Sequence, residues 1–174
     1  MSIYFSDEVQ TKAAHVINIQ RFLNTTRGTV TTVNNTGRNL CMFGTYNKLV
    51  AGSTLLFQGG IAGYGSNAGS ITMAVEYGGS TNGTNETYSG ATSVYPAVFR
   101  EYHGEGYQSM CMVSGCLVGH TTTGAQNVFI SHRAANNNSS NAPFVTLNPT
   151  NADDGRLEGS MNGSIMVVTE VLLN

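Results

Sequence analysis

The sequence predicts an all-β protein, an antiparallel β-sandwich that is jelly-roll-like and carries an N-terminal arm or short helix. Composition is the first observation, because Gly is abundant at 21 of 174 residues and only 10% of residues are charged, against about 25% in typical soluble proteins. The second is a series of about eight strand-like segments separated by loops rich in turn residues. The third is that helical segments do not alternate with these strands, which argues against a parallel sheet.

The N-terminal segment, residues 1–24, differs from the remainder and is predicted to be a docking arm before a sandwich domain at residues 25–174. Apolar residues at helical spacing favour a short helix that Ser6 and Asp7 would cap. Residues 16–23 fit an extended arm equally well. The candidate assembly contacts in this segment are Val9, Val16, Ile17, Phe22 and Leu23.

The first half of the domain contains strand candidates at residues 29–33, 40–46, 54–58 and 71–77. The last is the best half-buried strand, because Ile71, Met73 and Val75 alternate with polar or small residues. Residues 59–65 hold four glycines, so we expect a bulge there or a close approach of two backbones.

The second half alternates between loops and strands in the same way. Loops are predicted at residues 78–90, 103–106 and 134–142, from their Gly, Ser and Asn content. Strands are predicted at residues 94–99, 107–118, 128–131 and 144–147. Pro96 indicates an edge or a bulge in the first of these.

The C-terminal segment, residues 163–173, is predicted to be the strand that completes the core. Ile165 and Val167 point to one face of an extended chain, and Met166 and Val168 to the other. Because both faces are largely apolar, we expect this strand to be covered on both sides.

Charge and cysteine content argue against several classes of protein. A net charge of −2 gives no electrostatic reason to bind nucleic acid or an anionic membrane. No apolar run reaches the roughly 18 residues of a membrane helix, and the first residues lack the pattern of a secretory signal. Cys41, Cys111 and Cys116 lack zinc-site spacing and are expected to be buried free thiols.

Catalytic and metal motifs are weak. Asp153 and Asp154 lie in a turn that lacks the ligand pattern of a calcium loop. His103 between Glu101 and Glu105 could form an acid–base cluster, but its glycine neighbours favour an ordinary surface loop. We therefore expect no enzyme activity, cofactor or metal.

Tyrosine and asparagine in the loops offer a different candidate site. Tyr with Ser, Gly and Asn is typical of adaptable recognition surfaces, although tyrosines that pack at strand ends would give the same pattern. The candidate exposed recognition loop comprises Tyr88, Tyr102, His103, Tyr107 and Asn137.

Several stretches resemble small structural proteins of tailed phages, particularly cyanophages. They are residues 4–10 (YFSDEVQ), 16–22 (VINIQRF), 155–160 (GRLEGS) and 165–171 (IMVVTEV). This resemblance implies a β-rich homotrimer of the virion, on the head surface or in a fibre. The chain departs from a typical tail fibre, since it is short and has no shaft repeats.

The resemblance favours a capsid decoration or cement protein that binds the major capsid protein or another virion protein. Ile71, Met73 and Val75 would then contribute to a trimer core. A receptor-binding tip of a tail fibre that recognises a host surface glycan is the alternative. A polysaccharide hydrolase is a third, weaker hypothesis, because the sequence has no convincing carboxylate pair.

Overall fold

The computed structural model of the chain describes residues 14–29, 38–65, 69–81, 88–94, 99–103, 107–134, 146–148 and 163–173. These residues form eleven strands and the turns that connect some of them, and none of them lies in a helix. No helix among them could therefore cross a membrane. The strands, in chain order, are β1 (Ala14–Asn24), β2 (Gly28–Thr29), β3 (Arg38–Lys48), β4 (Thr54–Gly65), β5 (Gly69–Thr81), β6 (Tyr88–Ser93), β7 (Phe99–His103), β8 (Tyr107–Leu117), β9 (Gly124–Ala134), β10 (Thr146–Leu147) and β11 (Ser164–Leu173).

The strands form two antiparallel sheets. Sheet A has the order β1-β11-β4-β8, and the two-residue strands β2 and β10 extend it beside the end of β4. Sheet B has the order β3-β9-β5, and β6 and β7 pair with successive parts of the free edge of β5. The predicted all-β sandwich is confirmed.

The pairing scheme is that of a jelly roll. When β6 and β7 are counted as one interrupted strand and the two short strands are set aside, eight strands remain. The first pairs with the last, the second with the seventh, the third with the sixth and the fourth with the fifth. Such nested antiparallel pairing, divided between two packed sheets, is the arrangement of a double-sheet jelly roll.

The hydrophobic core lies between the sheets and is built from alternate residues of each strand. In β5, Met73, Val75 and Tyr77 point inward and are at most 1% exposed. Met73 and Val75 were predicted to form a trimer core, and this prediction is wrong because they fill the core of their own chain. The side chain of Ile71 lies outside the described part.

The N-terminal arm is corrected from Ala14 onward. β1 pairs along its whole length with β11, and its Phe22 is buried in the core at 8% exposure. A helix over these residues is wrong, and the extended alternative is right, because the alternating side chains of β1 continue sheet A. Phe22, a predicted assembly contact, is therefore part of the core of its own chain. Residues 1–13, including Val9, lie outside the described part.

One of the two explanations offered for the glycines at residues 59–65 is confirmed, and the predicted loop at 78–90 is wrong in its described part. Residues 59–65 continue β4 instead of interrupting it, since Gly59 lies against the backbone of β11, where a Cβ atom would come within 2.3 Å of the Ile165 carbonyl oxygen. The glycines there reflect close approach of two backbones, which was the other predicted reason for them. Residues 78–81 and 88–90 belong to β5 and β6, so the predicted loop at 78–90 is a hairpin whose described part is strand.

A buried carboxylate fixes the turn between β3 and β4. Glu170, on the inner face of β11, is fully buried. Its carboxylate accepts hydrogen bonds from Ser53 Oγ (2.6 Å), Val50 N (2.9 Å), Leu49 N (3.0 Å) and Tyr46 Oη (3.1 Å). Burial by itself would raise the pKa of Glu170, but these donors outweigh it and hold the pKa below its ordinary value.

Lys48 completes this buried cluster. Its Nζ lies 3.9 Å from Glu170 Oε1 and donates a hydrogen bond to the Val50 carbonyl. Burial lowers the pKa of Lys48, and the neighbouring carboxylate partly opposes that shift. The cluster joins both sheets and the β3–β4 turn, so its role is to hold the fold.

A second polar cluster joins strand ends at the opposite end of the sandwich, where β11 begins. Asn148 Nδ2 donates to Asn24 Oδ1 (3.2 Å), and Ser164 Oγ donates to Asn148 Oδ1 (2.8 Å). Asn24 Nδ2 donates to the Met42 carbonyl of sheet B (2.7 Å), which links the two sheets. Asn148 has a φ of 49°, a left-handed conformation that Asn tolerates better than most residues.

Candidate assembly surface

The outer face of sheet A is the candidate functional site, because it exposes large apolar side chains on a rigid surface. Cross-strand pairing places directly opposite residues on the same face of the sheet. The pairs arrange this face in four rows, which are Leu23–Ile165–Gly60–Met112, Arg21–Val167–Gln58–Ser114, Ile19–Thr169–Leu56–Cys116 and Val16–Val171–Thr54. We call this face, with these residues, the open face.

The open face leaves several of its largest side chains in solvent. Ile19 is 61% exposed, Val16 59%, Leu23 57%, Met112 54% and Leu56 42%. Single exposed apolar residues are ordinary, whereas several grouped on one sheet face mark an interaction site. Here they lie on both sides of a row that carries the polar residues Arg21, Gln58 and Ser114.

Two further exposed residues extend this patch at one end of the sandwich. Leu49 is 50% exposed in the β3–β4 turn, and Val118 is 71% exposed just after β8. The hydrogen bond from Gly52 N to the His120 carbonyl (3.0 Å) places these two turns side by side. The apolar surface therefore continues past the end of the sheet.

The outer face of sheet B is different, because its described centre is covered. Glu76, Phe129 and Ser131 lie on that face and are at most 3% exposed. The Glu76 carboxylate accepts hydrogen bonds from Ser131 Oγ (2.8 Å) and Ser93 Oγ (2.9 Å). Only sheet A, among the described surfaces, presents an uncovered apolar centre.

The exposure of β11 corrects a prediction from the sequence. Its inner residues Met166 and Val168 are fully buried, but Ile165 and Val167 on the outer face are only half-buried. The strand is thus covered on its inner side by its own chain, and of its outer residues Val171 is also buried, at 7% exposure, beside the buried Thr54. The prediction that both faces of β11 are largely apolar is right. The described residues do not fully bury Ile165 and Val167 on the outer face.

The predicted assembly contacts fall partly on this surface. Val16 and Leu23 lie on the open face, whereas Ile17 is half-buried beside a bulge in the pairing of β1. Ile19, Leu56 and Met112 were missed. In the sequence, Ile19 and Leu23 alternate with Arg21, which indicates an exposed strand face. Leu56 gives no such signal, because it lies within an unbroken apolar run that begins at Leu55.

The predicted recognition loop does not form one cluster. Tyr102 and His103 pair with the start of β5, at Ser70 and Gly69, and Tyr107 pairs with the end of β4 at Gly65. Tyr88 pairs with Thr81 at the opposite end of β5. Twelve residues of strand separate the two ends, about 40 Å at 3.3 Å per residue. Asn137 lies outside the described residues.

The described residues contain no group of three or more His, Cys, Asp or Glu side chains that could hold a metal ion. Cys41 and Cys111 are buried and form no disulfide, and burial raises the pKa of Cys41 to about 12. Cys116, which was also expected to be buried, is only half-buried, because it lies on the open face.

No known protein family matches the sequence, and no curated protein matches it. Solved structures of infectious bursal disease virus are similar in the path of the chain. The T13 viral particle matches with a TM-score of 0.42 at 9% identity, covering 90% of this chain and 40% of that one. The VP2 subviral particle matches with a TM-score of 0.41 at 9% identity, covering 90% and 42%.

The present chain thus spans about two fifths of the length of those viral chains.

Proposed function

We propose that this chain is a virion structural protein of a tailed bacteriophage, a capsid decoration or cement protein that acts as a homotrimer by burying surface and not by catalysis. The observation that carries the proposal is the open face, a rigid apolar sheet surface that its own chain leaves uncovered. The sequence resemblance to small phage structural proteins supplies the virion context. Jelly rolls form both viral capsid domains and lectin domains, so the choice between a capsid role and glycan binding rests on the surface and not on the fold.

The mode of action follows from the chemistry of this surface. Ile19, Leu23 and Met112 are aliphatic and held on paired strands, so they lose little conformational freedom on docking. Burial of apolar area stabilises a contact by about 25 cal/mol per Å² before the cost of association. Many weak contacts on a repeating shell would add through multivalency.

The receptor-binding alternative is a different function class and is tested in the same experiment. It requires Tyr102, His103 and Tyr107 to contact a host glycan at one end of the sandwich. Because Tyr88 lies at the other end, any such site must be smaller than the sequence suggested.

A paired co-sedimentation assay tests the proposal. Labelled protein is mixed either with emptied phage heads that have been stripped of it or with intact host cells. The proposal expects saturable pelleting with heads, and loss of that pelleting in Leu23→Glu but not in Thr45→Glu, an exposed position on sheet B. Pelleting with cells alone would instead establish a receptor-binding tip.

A further inference from the structure

We infer that the interior of the sandwich binds one water molecule between Tyr77 Oη and His120 Nδ1. These are the two buried side-chain atoms that have no hydrogen-bond partner in the part of the chain that the structure describes. Buried polar groups of folded proteins are nearly always paired, either with protein or with an ordered water. The site lies inside the fold, so it is independent of the open face and of the virion role.

The fold brings these two side chains together at one end of the sandwich. Tyr77 lies on the inner face of β5 and is 1% exposed. His120 lies in the β8–β9 turn, which crosses from sheet A to sheet B. The two rings meet edge to face, with centroids 5.2 Å apart and planes at 87°. Phe57 of β4 also contacts the Tyr77 ring, at a centroid distance of 5.9 Å, so the position of the ring is fixed by two elements.

The Tyr77 hydroxyl is a donor that the buried Glu170 carboxylate does not accept. Burial, with a smaller contribution from Glu170, raises the pKa of Tyr77 to about 12, so the hydroxyl keeps its proton at neutral pH. A carboxylate offers about four acceptor positions. Glu170 already accepts four hydrogen bonds, from Tyr46 and from the β3–β4 turn.

The His120 side chain also lacks a partner within the described residues. Its backbone carbonyl accepts a hydrogen bond from Gly52 N (3.0 Å), which fixes the turn but leaves Nδ1 unpaired. In a neutral imidazole, Nδ1 is a donor or an acceptor according to the tautomer. The edge-to-face arrangement of the rings forms no direct hydrogen bond between Nδ1 and Tyr77 Oη.

The chemistry of the two atoms selects water as the ligand. A water molecule both donates and accepts, so it can accept from Tyr77 Oη and pair with Nδ1 in either tautomer. Aromatic rings at this separation are already in contact, so a larger ligand such as a sugar or a phosphate does not fit between them. An ion would bring an additional charge into the interior.

The bound water would join three elements that otherwise meet only through apolar contacts and one backbone hydrogen bond. It links β5 to the β8–β9 turn, and Gly52 links that turn to the β3–β4 turn. The exposed Leu49 and Val118 lie on these two turns. The half-buried His120 offers water a route from solvent, because a Cβ atom at the neighbouring Gly119 would meet nothing within 4 Å.

A crystal structure of the full chain tests the site directly. The expected result is one ordered water at about 2.7–3.2 Å from both Tyr77 Oη and His120 Nδ1. Absence of density there, in a map that shows other interior waters, would overturn the inference. A direct hydrogen bond between the two side chains would overturn it as well.

Tyr77→Phe tests the same site in solution, because the sign of its effect depends on the water. If the hydroxyl is paired with water, its removal should lower the folding equilibrium constant about fivefold. Removal of an unpaired hydroxyl would leave that constant unchanged or raise it, which would contradict the bound water. Tyr46→Phe is the matched control, since the Tyr46 hydroxyl donates directly to Glu170 (3.1 Å) and its loss calibrates the cost of a paired hydroxyl.

His120→Phe completes a double-mutant cycle that keeps two aromatic rings in contact. Removal of either partner releases the same water, so the loss in the double variant should be smaller than the product of the two single losses by at least about twofold. Losses that simply multiply would show that the two side chains share no ligand. Urea unfolding of the four proteins at pH 7 measures these constants.

Discussion

At the scale of single residues, the buried Glu170 carboxylate has the largest effect on the fold. Four donors and Lys48 converge on it, so the β3–β4 turn is ordered by one side chain from the last strand. The alternation of residues in β11 places Glu170 on its inner face. The sequence offered no sign that backbone N–H groups 120 residues away would satisfy it.

Glu170→Gln is expected to lower the free energy of unfolding by about 3 kcal/mol at pH 7, because it leaves Lys48 buried beside a neutral amide. The folded pKa of Glu170 lies below its ordinary value of 4.5. The stabilisation is therefore fully present above pH 4.5 and is lost as pH falls through the lowered pKa. Urea unfolding from pH 7 to pH 3 should show the variant and the wild type converging in acid.

Tyr46→Phe is the matched control for that prediction. It removes one donor to Glu170 and should cost about 1 kcal/mol while keeping the acid dependence. If Glu170→Gln ran parallel to the wild type over the whole pH range, the carboxylate would not be the group that couples stability to pH.

At the scale of elements, β1 shows how a sequence pattern can be read with the wrong period. Val16, Ile17 and Phe22 fit the apolar stripe of a helix, but this segment is a strand because it pairs with β11. A bulge between Val16 and Asn18 breaks the alternation, so neither period fits the whole segment. Tertiary pairing settles such ambiguous short segments, and a single sequence does not contain that information.

The two faces of β1 should respond differently to truncation of neighbouring side chains. Phe22→Ala is expected to cost about 3–5 kcal/mol, because Phe22 is in the core. Leu23→Ala should change the stability of the monomer by no more than about 0.5 kcal/mol, because Leu23 is 57% exposed. Chemical denaturation at low protein concentration measures both, and similar costs for the two would contradict the assigned faces.

A close contact between the sheets gives a second test at this scale. Gly115 of β8 points inward, and a Cβ atom there would lie 2.7 Å from Val94 Cγ1. Gly115→Ala should therefore cost about 1–3 kcal/mol by overpacking.

Val94→Ala in the same chain should recover part of that loss, since it removes the clashing methyl group. A double-mutant cycle on unfolding free energies would then show coupling of at least about 0.5 kcal/mol. Strictly additive effects would mean that Gly115 and Val94 are not in close contact.

At the scale of the whole molecule, the β-sandwich could be predicted from the sequence. The residues that form its exposed apolar surface could be predicted only in part. Turn-rich loops and alternating strands indicated two antiparallel sheets, and the apolar outer residues of β11 indicated that something covers them. Which residues join β11 in one surface depends on the pairing of β4 with both β11 and β8. Leu56 and Met112 are far from β1 in sequence. Without that pairing, the sequence could not show that they share a surface with Ile19 and Leu23.

The predicted recognition residues are separated for the same reason. Tyr88 and Tyr102 are close in sequence and similar in their surroundings, but β5 carries them to opposite ends. Composition can identify a loop suited to binding, whereas topology decides which loops meet. The open face is a property of sheet order, and it emerges only when the four strands are placed side by side.

Sedimentation velocity over a concentration series tests most directly the claim that the open face is an assembly surface. The three proteins are the wild type, Leu56→Glu on the open face and Thr45→Glu on sheet B. The wild type and Thr45→Glu should sediment faster as concentration rises, and Leu56→Glu should remain a monomer with a dissociation constant at least roughly tenfold higher. A wild type that stays monomeric up to 100 μM, or a Leu56→Glu variant that associates like the wild type, would contradict the account.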